Sequence, residues 1–524
     1  MLDDLRVYWR YARGLREFLR QPLTLADAGE GLAQQLARRE QNFLELLKRG
    51  VFAKPDSPYL PLFRHAEIEF EDARRLVRDA GLRSALSTLY DAGIRVSLEE
   101  AKGRQPIIRG GAEIAVTERS FDNPTLARDL ALHSSGSRSA GRRTVWDFDA
   151  IAYDAARFAP YAAALGLTER PLAVWLPPPP AFSGYYAVLV HAKNGLSTMK
   201  WFSPTERGLS LRAPRAALQQ ALMLAATRMW GPAAVPIPEP TPFEQAGTVA
   251  RWLAEQVRLG RPAAIRISPS SAVRVCAAAN AEGLDISGTL FQTAGETLTP
   301  AKAKAISSAG ARCVSRYMMI ELGMVGSPCL DAAVPDDVHV MTDGVEVVQR
   351  TRTVDSSMIE IGALSFTSLL PTAPKLLINV DSGDYGVLED RPCSCYLGQS
   401  GYTLHLHSIG SYEKLTSEGV TFLGSELVAI AEQVLPRRFG GSPADYQFID
   451  RRSAEPPKIS LLVHPSVGQL DHGALVHAVL QTLGRTEPGR MMAQLWRSGS
   501  TLDVVRTAPM STAAGKTLPL HVIS

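Results

Sequence analysis

The chain has 524 residues, of which 45% are hydrophobic and 21% charged, and its formal net charge is +3. This length predicts two or three domains, and so small a charge gives no reason to expect a nucleic-acid or membrane-surface partner. No stretch approaches the roughly 20 apolar residues of a membrane span. Five cysteines, an odd number, favour a reducing compartment over a disulfide framework. Because the N-terminus also lacks the pattern of a signal peptide, we expect a cytoplasmic protein.

The N-terminal 60 residues are predicted to form a helical lead-in. Thr24 followed by Asp27 is typical of a helix start, and Leu32, Leu36 and Phe43 recur at helical spacing. The simplest interpretation of this region is a set of packed amphipathic helices.

Between about 145 and 330 short apolar runs alternate with helical stretches. Leu172–Leu176, Tyr186–Val190 and Ala264–Ile267 have the character of strands, and residues 213–230 and 243–258 that of helices. Such alternation predicts an α/β fold.

After about 410 the pattern changes to that of a smaller unit. Helical stretches over 424–435 and 472–484 alternate with strand-like runs at 446–449, 458–463 and 502–505. We predict that this part of the chain forms a compact α+β domain with its own hydrophobic core.

Residues 134–144 read Ser-Ser-Gly-Ser-Arg-Ser-Ala-Gly-Arg-Arg-Thr. Small residues let backbone N–H groups approach an anion, and hydroxyl and guanidinium groups add donors, so this segment is a candidate phosphate-binding loop. A Ser/Gly/Arg surface loop explains the same composition. The segment lacks the spacing of a Walker loop.

Six segments in order resemble motifs of the adenylate-forming superfamily, which includes acyl-CoA and aryl-CoA ligases. The segments are the 134–144 loop, Thr293-Ala-Gly-Glu-Thr-Leu-Thr-Pro300, Tyr317-Met-Met-Ile-Glu321, Ser382-Gly-Asp384, Gly419 and the C-terminal Gly515-Lys516. The branch that the chain resembles most is the phenylacetate-CoA ligase group. The resemblance implies a large N-terminal AMP-binding domain of sheets flanked by helices, residues 1–408, and a small mobile lid domain, residues 409–524, which carries Lys516.

The resemblance implies a two-step reaction in which a carboxylate attacks the α-phosphate of ATP and a second nucleophile, usually CoA, displaces AMP. Lys516 and Glu321 are then the catalytic residues, Glu321 as the ligand of Mg²⁺. Tyr317 would stack on adenine and Asp384 would bind the ribose hydroxyls. The implied nucleotide-binding set is Ser134, Ser135, Gly136, Ser137, Gly141, Arg142, Ala294, Gly295, Glu296, Arg316, Tyr317, Asp384 and Gly419.

Alternative explanations exist for single motifs. Tyr317 and Glu321 could form a pair on a helix face, and Ser382-Gly-Asp384 is also a good turn. The chain departs from the family pattern at Arg142, where lysine is usual, at Ile320, where threonine is usual, and at the hinge, where no arginine stands. Two rival functions therefore stay open: transfer of the adenylate to a carrier protein or an amine, and a degenerate nucleotide- or acyl-binding protein.

A second constellation has the composition of a zinc site. Cys329, His339, Cys393 and Cys395 supply thiolate and imidazole ligands that suit tetrahedral Zn²⁺. Some proteins similar to phenylacetate-CoA ligase carry such a site, and four protein ligands make its role structural. The alternative is a buried cysteine beside an incidental Cys-x-Cys pair.

The acyl pocket is predicted near Pro177–Tyr186 and Tyr317–Val325. Its candidate lining residues are Phe182, Tyr185, Tyr186, Met318 and Met319. Their character favours an aromatic or other apolar acid. The expected partners are this acid and CoA or a carrier protein, and a homodimer is left open.

Overall fold

The structure is a computed structural model. It describes residues 2–126, 130–133, 143–179, 181–204, 214–230, 235–354, 359–411, 424–451, 458–485, 493–494, 496–497, 502–511 and 516–523.

Helices fill the first hundred residues and then alternate with strands. The α-helices of the described residues are α1 Leu2–Arg20, α2 Leu25–Ala37, α3 Arg39–Leu47, α4 Leu60–His65, α5 Phe70–Ala80, α6 Leu82–Asp91, α7 Leu98–Ala101, α8 Phe148–Ala164, α9 Phe182–Lys193, α10 Pro214–Trp230, α11 Ala246–Arg258, α12 Pro269–Glu282, α13 Pro300–Ser308, α14 Tyr396–Gln399, α15 Gly424–Ala429, α16 Leu435–Phe439 and α17 His472–Leu483.

The strands begin after the helical region. They are β1 Ile107–Arg109, β2 Ala112–Ile114, β3 Leu130–His133, β4 Arg143–Trp146, β5 Leu172–Trp175, β6 Thr198–Ser203, β7 Glu239–Pro240, β8 Ala264–Ile267, β9 Leu290–Ala294, β10 Arg312–Met319, β11 Gly323–Pro328, β12 Val338–Val340, β13 Val345–Val354, β14 Ile359–Ser368, β15 Val380–Asp390, β16 Leu404–Ser411, β17 Tyr446–Arg451, β18 Lys458–Val463, β19 Leu502–Arg506 and β20 Leu520–Ile523.

Twelve strands form one mixed sheet in the order β13-β14-β15-β16-β12-β11-β10-β9-β8-β5-β6-β7. The strands from β10 to β7 run parallel, and those from β10 to β13 pair antiparallel. Parallel strands need helical crossovers that cover both faces. Side chains of α8 and α9 join one face of the parallel half, and side chains of α11 and α12 join the other. The predicted α/β fold class is therefore confirmed.

Strand β10 is the junction of the two halves of this sheet. It pairs parallel with β9 through Arg312–Arg316 and antiparallel with β11 through Tyr317–Met319. The register of its pairing with β11 shifts between Tyr317 and Met318. The segment that carries the predicted nucleotide-binding motif thus lies where the sheet changes from parallel to antiparallel pairing.

The C-terminal residues form a second sheet with the strand order β19-β18-β17-β20. Side chains of α17, such as Leu475 and Val479, pack on this sheet in a separate hydrophobic cluster, which begins at Leu427. This arrangement confirms the predicted smaller α+β unit. The predicted division between residues 408 and 409 falls within β16 and stays a prediction.

One sequence-based prediction was wrong. The apolar run Tyr186–Val190 is part of helix α9, not a strand. All five of its residues are buried, so the run has no polar face to show helical periodicity, and a continuous apolar run is compatible with either element. In the part of the chain that the structure describes, no helix combines the length and apolar character that crossing a membrane requires.

Candidate active site

Three predicted site residues lie close together beside the end of strand β10. The Tyr317 hydroxyl donates to Asp384 Oδ2 at 2.6 Å. Burial, followed by the negative charges of Asp384 and Glu321, raises the pKa of Tyr317 well above its usual value. Tyr317, Glu321 and Asp384 therefore lie near one another although they come from β10, the following turn and β15; that they form a nucleotide site stays a prediction.

Strand β15 places Asp384 by a turn-like distortion. The backbone N–H of Asp384 donates to Ser382 Oγ at 3.0 Å, and that of Gly383 donates to Asp381 Oδ1 at 2.9 Å. Asp384 is paired with Ser411 of β16. The Ser-Gly-Asp motif thus has the turn chemistry that the sequence offered as one interpretation, and its role in a nucleotide site stays a prediction.

A cavity of about 40 Å³ adjoins this group of residues. Its polar lining includes Glu321, Ser382, Asp381, Lys102 and Lys375. Glu321 is half-buried there, and its carbonyl oxygen accepts a hydrogen bond from the backbone of Lys375. The remaining lining is apolar, with Leu98, Phe121 and Met319 among it. The Glu321 carboxylate is the kind of hard oxygen ligand that Mg²⁺ prefers, and its role as the Mg²⁺ ligand stays a prediction.

The tail residue Lys516 reaches the loop after strand β9. A Cβ atom placed on Gly295 would lie 3.0 Å from Lys516 Cε and 3.3 Å from its Nζ. Gly295 has a φ of +87°, a conformation that glycine adopts without strain. Because Ala294 pairs with Arg316, the ammonium group lies beside the part of β10 that carries Tyr317.

Neighbouring contacts hold the tail segment against the large sheet's helices. Arg274 of α12 donates to Ser511 Oγ at 2.7 Å and also to the Thr517 hydroxyl. Ser270 Oγ donates to the carbonyl oxygen of Thr517 at 3.3 Å. Thr517 is 3% exposed. The contacts of the buried neighbour Thr517 therefore help to fix the position of Lys516.

Glu296 lies next to Gly295 but is engaged by protein donors. Its carboxylate accepts from the Ser270 backbone N–H at 2.7 Å and hydroxyl at 2.8 Å, and Lys302 Nζ lies 3.4 Å away. These contacts tie the loop to the N-terminus of α12. Protein donors therefore hold the Glu296 carboxylate, and its predicted contact with the nucleotide stays a prediction.

Lys302 of α13 forms a buried ion cluster with Glu296 and Glu432. This cluster links the helices of the large sheet to the C-terminal unit, and sequence reasoning missed it. The Lys302 ammonium group lies between Glu296 and Glu432, 3.2 Å from Glu432 Oε1, and the Thr299 hydroxyl donates to the same Glu432 carboxylate. Burial lowers the pKa of Lys302, but the two carboxylates outweigh it and leave the pKa raised. No local pattern relates residues so far apart in sequence, so only the structure could show this contact.

The predicted pocket residues fall into different environments. Tyr185 is fully buried, with its hydroxyl bonded to Thr227 Oγ1 at 2.7 Å and to the Tyr11 hydroxyl. Tyr186 donates to Asp154 Oδ2 at 2.8 Å. Met318 packs on the α8–α9 face of the sheet, whereas Met319 packs on the antiparallel half and lines the small cavity. Tyr185, Tyr186 and Met318 thus belong to one hydrophobic cluster and Met319 to another, and the acyl pocket stays a prediction.

Several predicted residues lie outside the described part of the chain. They are Ser134, Ser135, Gly136, Ser137, Gly141, Arg142 and Gly419, and the side chain of Phe182.

The predicted metal ligands do converge. The ligand atoms of Cys329, His339, Cys393 and Cys395 all lie within 4.8 Å of one another. The sulfur atoms of Cys329 and Cys393 are 3.6 Å apart, and Cys395 Sγ is 3.0 Å from His339 Nε2. A Zn–S bond of about 2.3 Å places two sulfurs of a tetrahedral site about 3.8 Å apart, so the cluster has the dimensions of a zinc site.

A second group orients the histidine of this cluster. His339 Nδ1 lies 2.7 Å from the carbonyl oxygen of Tyr402, which fixes Nδ1 as the donor and leaves Nε2 to act as a ligand. Burial opposes ionisation of Cys395, but the hydrogen bonds with His339, the Gly398 backbone and Cys393 and the charge of His339 together outweigh it and lower the pKa of the thiol to about 6. Three of the four ligands are buried, which is typical of a structural site.

No protein-family model matches this sequence, and no curated protein matches it. Solved structures similar to the fold include 2-hydroxyisobutyryl-CoA ligase in complex with its acyl-adenylate, at 14% identity over 96% of this chain and 91% of the other, with a TM-score of 0.47. The amide bond synthetase McbA from Marinactinospora thermotolerans is 12% identical over 97% of both chains, with a TM-score of 0.37. Acetoacetyl-CoA synthetase from Streptomyces lividans is 14% identical over 79% of this chain and 56% of the other, with a TM-score of 0.39.

Proposed function

We propose that this chain is an adenylate-forming ligase, which activates a carboxylic acid with ATP and transfers the acyl group to CoA. In the first step a carboxylate oxygen attacks the α-phosphorus, the bond to the bridging oxygen breaks, and pyrophosphate leaves. The contact of Lys516 with the Gly295 loop carries this proposal. It brings a cation from the small domain to the same end of β9 and β10 at which Tyr317, Glu321 and Asp384 meet.

The roles of the residues follow from their positions and chemistry. Lys516 supplies a positive charge where the carboxylate oxygen and the α-phosphate oxygens come together, and such fixed charges stabilise the transition state without reorganisation. Asp384 accepts a bond from Tyr317 through one oxygen, and a carboxylate has further acceptor sites for ribose hydroxyls. Tyr317 offers its ring to the adenine. Positioning then supplies much of the rate enhancement.

Two metal ions fit residues of this chain. Glu321 would hold Mg²⁺, which neutralises phosphate charge when it is bound. Cys329, His339, Cys393 and Cys395 would hold a structural Zn²⁺, whose four protein ligands leave no open position for chemistry. The cytoplasmic location expected from the cysteine content belongs to the same proposal.

Pyrophosphate exchange tests the first step. The wild-type protein, with ATP, Mg²⁺ and a panel of carboxylic acids, is compared with Lys516→Ala and with Lys304→Ala, an exposed lysine of α13 that serves as the control. We expect at least one acid to support exchange in the wild type and the control, and a loss of at least about 100-fold in Lys516→Ala. If no acid gives exchange above the Lys516→Ala background, the chain is not an acid-activating enzyme.

The acceptor is tested after an active acid is found. CoA, a carrier protein and simple amines are added in turn, and AMP release and the acyl product are measured. We expect CoA to give a thioester; product formation with an amine or a carrier protein alone would replace CoA ligation by the rival transfer reaction.

A further inference from the structure

Two arginines are buried in the sheet face beneath α8 and α9. Arg266 of β8 is 1% exposed and Arg316 of β10 is 6% exposed. All three guanidinium nitrogens of Arg266, and Nε and Nη1 of Arg316, have no hydrogen-bond partner among the described residues. A guanidinium group stays charged in proteins, and an unpaired buried charge is strongly unfavourable, so these donors require an acceptor.

The two arginines share one surface with Gln292. On the parallel strands Arg266 pairs with Gln292, Gln292 pairs with Val314, and Arg316 follows two residues after Val314 on the same side of β10. The Gln292 Oε1 atom accepts from Tyr161 of α8 at 3.0 Å, while its Nε2 is buried without a partner. The unpartnered groups of this surface on Arg266, Gln292 and Arg316 are all donors.

The pKa shifts of two neighbouring groups indicate positive potential at this surface, which Asp154 offsets only in part. Burial, and next the charge of Arg316, lowers the pKa of Arg266 to about 9. Burial, and next Arg266 and Arg316, lowers the pKa of His191 of α9 well below its usual value, so the imidazole adds no charge. A negatively charged acceptor is therefore favoured here over a neutral one.

Asp154, the buried acid that influences Arg266, does not pair with it. Asp154 accepts from the Tyr186 hydroxyl at 2.8 Å, from the Met324 backbone N–H at 3.1 Å and from Arg157 at 3.3 Å. Arg266 makes no hydrogen bond to this carboxylate, and its guanidinium instead stacks 4.4 Å above the ring of Phe158. Aromatic stacking leaves the edge of a guanidinium group available to a carboxylate.

The arginine surface lies on the opposite side of β10 from Tyr317, although the sequence counts Arg316 among the nucleotide-binding residues. Successive residues of a strand point to opposite faces, so Arg316 faces α8, where it influences Tyr161, while Tyr317 faces Asp384. Gln292 of β9 precedes Gly295 by three residues, which is about 10 Å along an extended strand. Lys516 contacts Gly295, so the arginine surface is about that far from the lysine. The surface is therefore suited to a part of the substrate that extends away from the reacting carboxylate.

We propose that Arg266 and Arg316 bind a second carboxylate of the acid that this chain activates, so that the substrate class is dicarboxylic acids. This inference depends on the proposed function. It departs from the apolar or aromatic acid that the sequence favours, because a single arginine in an apolar strand gives no sign of how its guanidinium group is paired. Gln292 Nε2 supplies a further donor to the same carboxylate.

Paired substrates test the inference. Pyrophosphate exchange is measured with α,ω-dicarboxylic acids from malonic to sebacic acid and with the monomethyl ester of each, which has similar length but one charge less. We expect a diacid to be activated with a kcat/KM at least about 30-fold above that of its ester. Arg266→Met and Arg316→Met should remove this preference through the KM for the acid, whereas Arg251→Met, at an exposed arginine paired with Glu282, should keep it.

Thermal melting without ATP gives a second readout. Replacing a buried unpaired charge by methionine should raise the melting temperature of the ligand-free protein, and the upward shift that the diacid causes in the wild type should be absent in Arg266→Met. A purely structural arginine would instead lower the melting temperature when it is removed.

The other outcomes separate the two proposals. If monomethyl esters or simple monocarboxylic acids support as much exchange as diacids, the dicarboxylate inference is overturned and the proposed function stands. A rise in the KM for ATP, and not for the acid, in both methionine variants assigns the arginines to the nucleotide and also overturns it. The absence of exchange with every acid overturns the proposed function itself.

Discussion

Lys516, beside the small sheet, contacts Gly295, beside the large one. Gly295 follows β9 of the large sheet, and Lys516 precedes β20 of the small one, yet a Cβ on Gly295 would lie 3.3 Å from the lysine ammonium. The space that the glycine leaves is occupied by the lysine side chain. The identity of residue 295 therefore affects both the loop's conformation and the position of the tail cation.

Gly295→Ala should impair pyrophosphate exchange because the new methyl group competes with Lys516. The positive φ adds a backbone cost of about 1 kcal/mol, so a control with the same strain is needed. Gly260 has a φ of +73° and nothing within 4 Å of its Cβ position. We expect both variants to lose similar stability in thermal melting, but only Gly295→Ala to lose about 10-fold or more in exchange rate. Equal exchange rates would show that Lys516 does not act from this position.

Asp384 and Tyr317 should affect the use of ATP to different degrees. In Tyr317→Phe, Asp384 loses one donor but keeps its charge, so we expect the KM for ATP to rise only a few-fold. Asp384→Ala removes the acceptor proposed for the ribose hydroxyls, and the KM for ATP should rise about 10-fold or more. Steady-state exchange at varied ATP checks this order. A larger effect of Tyr317→Phe than of Asp384→Ala would contradict the role given to Asp384.

Much of the fold could be predicted from local patterns. The strands Leu172–Trp175 and Ala264–Ile267 are short apolar runs between clear helices, and the C-terminal unit alternates strands and helices with visible boundaries. The strand prediction for Tyr186–Val190 was wrong because this part of α9 is fully buried and has no periodic polar face.

The candidate site was only partly predictable. Motif order brought Tyr317, Glu321, Asp384 and Lys516 into one hypothesis, because each motif has a local sequence signature. Arg266 and Glu432 have no such signature, since their importance depends on what surrounds them after folding. The alternation of faces along β10, which separates Arg316 from Tyr317, depends on a register that single motifs do not reveal.

The Cys/His cluster should contain about one equivalent of zinc per chain. Cys395→Ser removes a buried ligand 3.0 Å from His339, and we expect loss of the metal and a lower melting temperature, because binding energy at a structural site contributes to folding. Cys313→Ser is the control, since Cys313 lies on β10 outside the cluster. Metal analysis of the purified proteins decides the result. Less than about half an equivalent in the wild type, unchanged in Cys395→Ser, would exclude a zinc site.

The Lys302–Glu432 contact should favour the arrangement in which Lys516 reaches Gly295. Glu432 is 2% exposed and Lys302 is 3% exposed, so the ion pair is screened little by solvent. Glu432→Gln keeps an acceptor for Thr299 but leaves Lys302 with Glu296 alone. If Glu432→Gln weakens the docking of the C-terminal unit onto α13 by about 1.4 kcal/mol, the exchange rate should fall about tenfold. Glu282→Gln, which breaks an exposed pair with Arg251, should leave the rate unchanged.

The pH dependence of this contact has a definite sign. The pKa of Lys302 is raised in the folded protein, so its stabilising contribution is complete below the ordinary lysine pKa of about 10.4 and is lost as the pH rises through the raised value. The difference in exchange rate between wild type and Glu432→Gln should therefore be constant from neutral pH to about pH 9. A difference that shrinks across this range would show that the ammonium of Lys302 is not what holds Glu432, and that another contact keeps the tail in place.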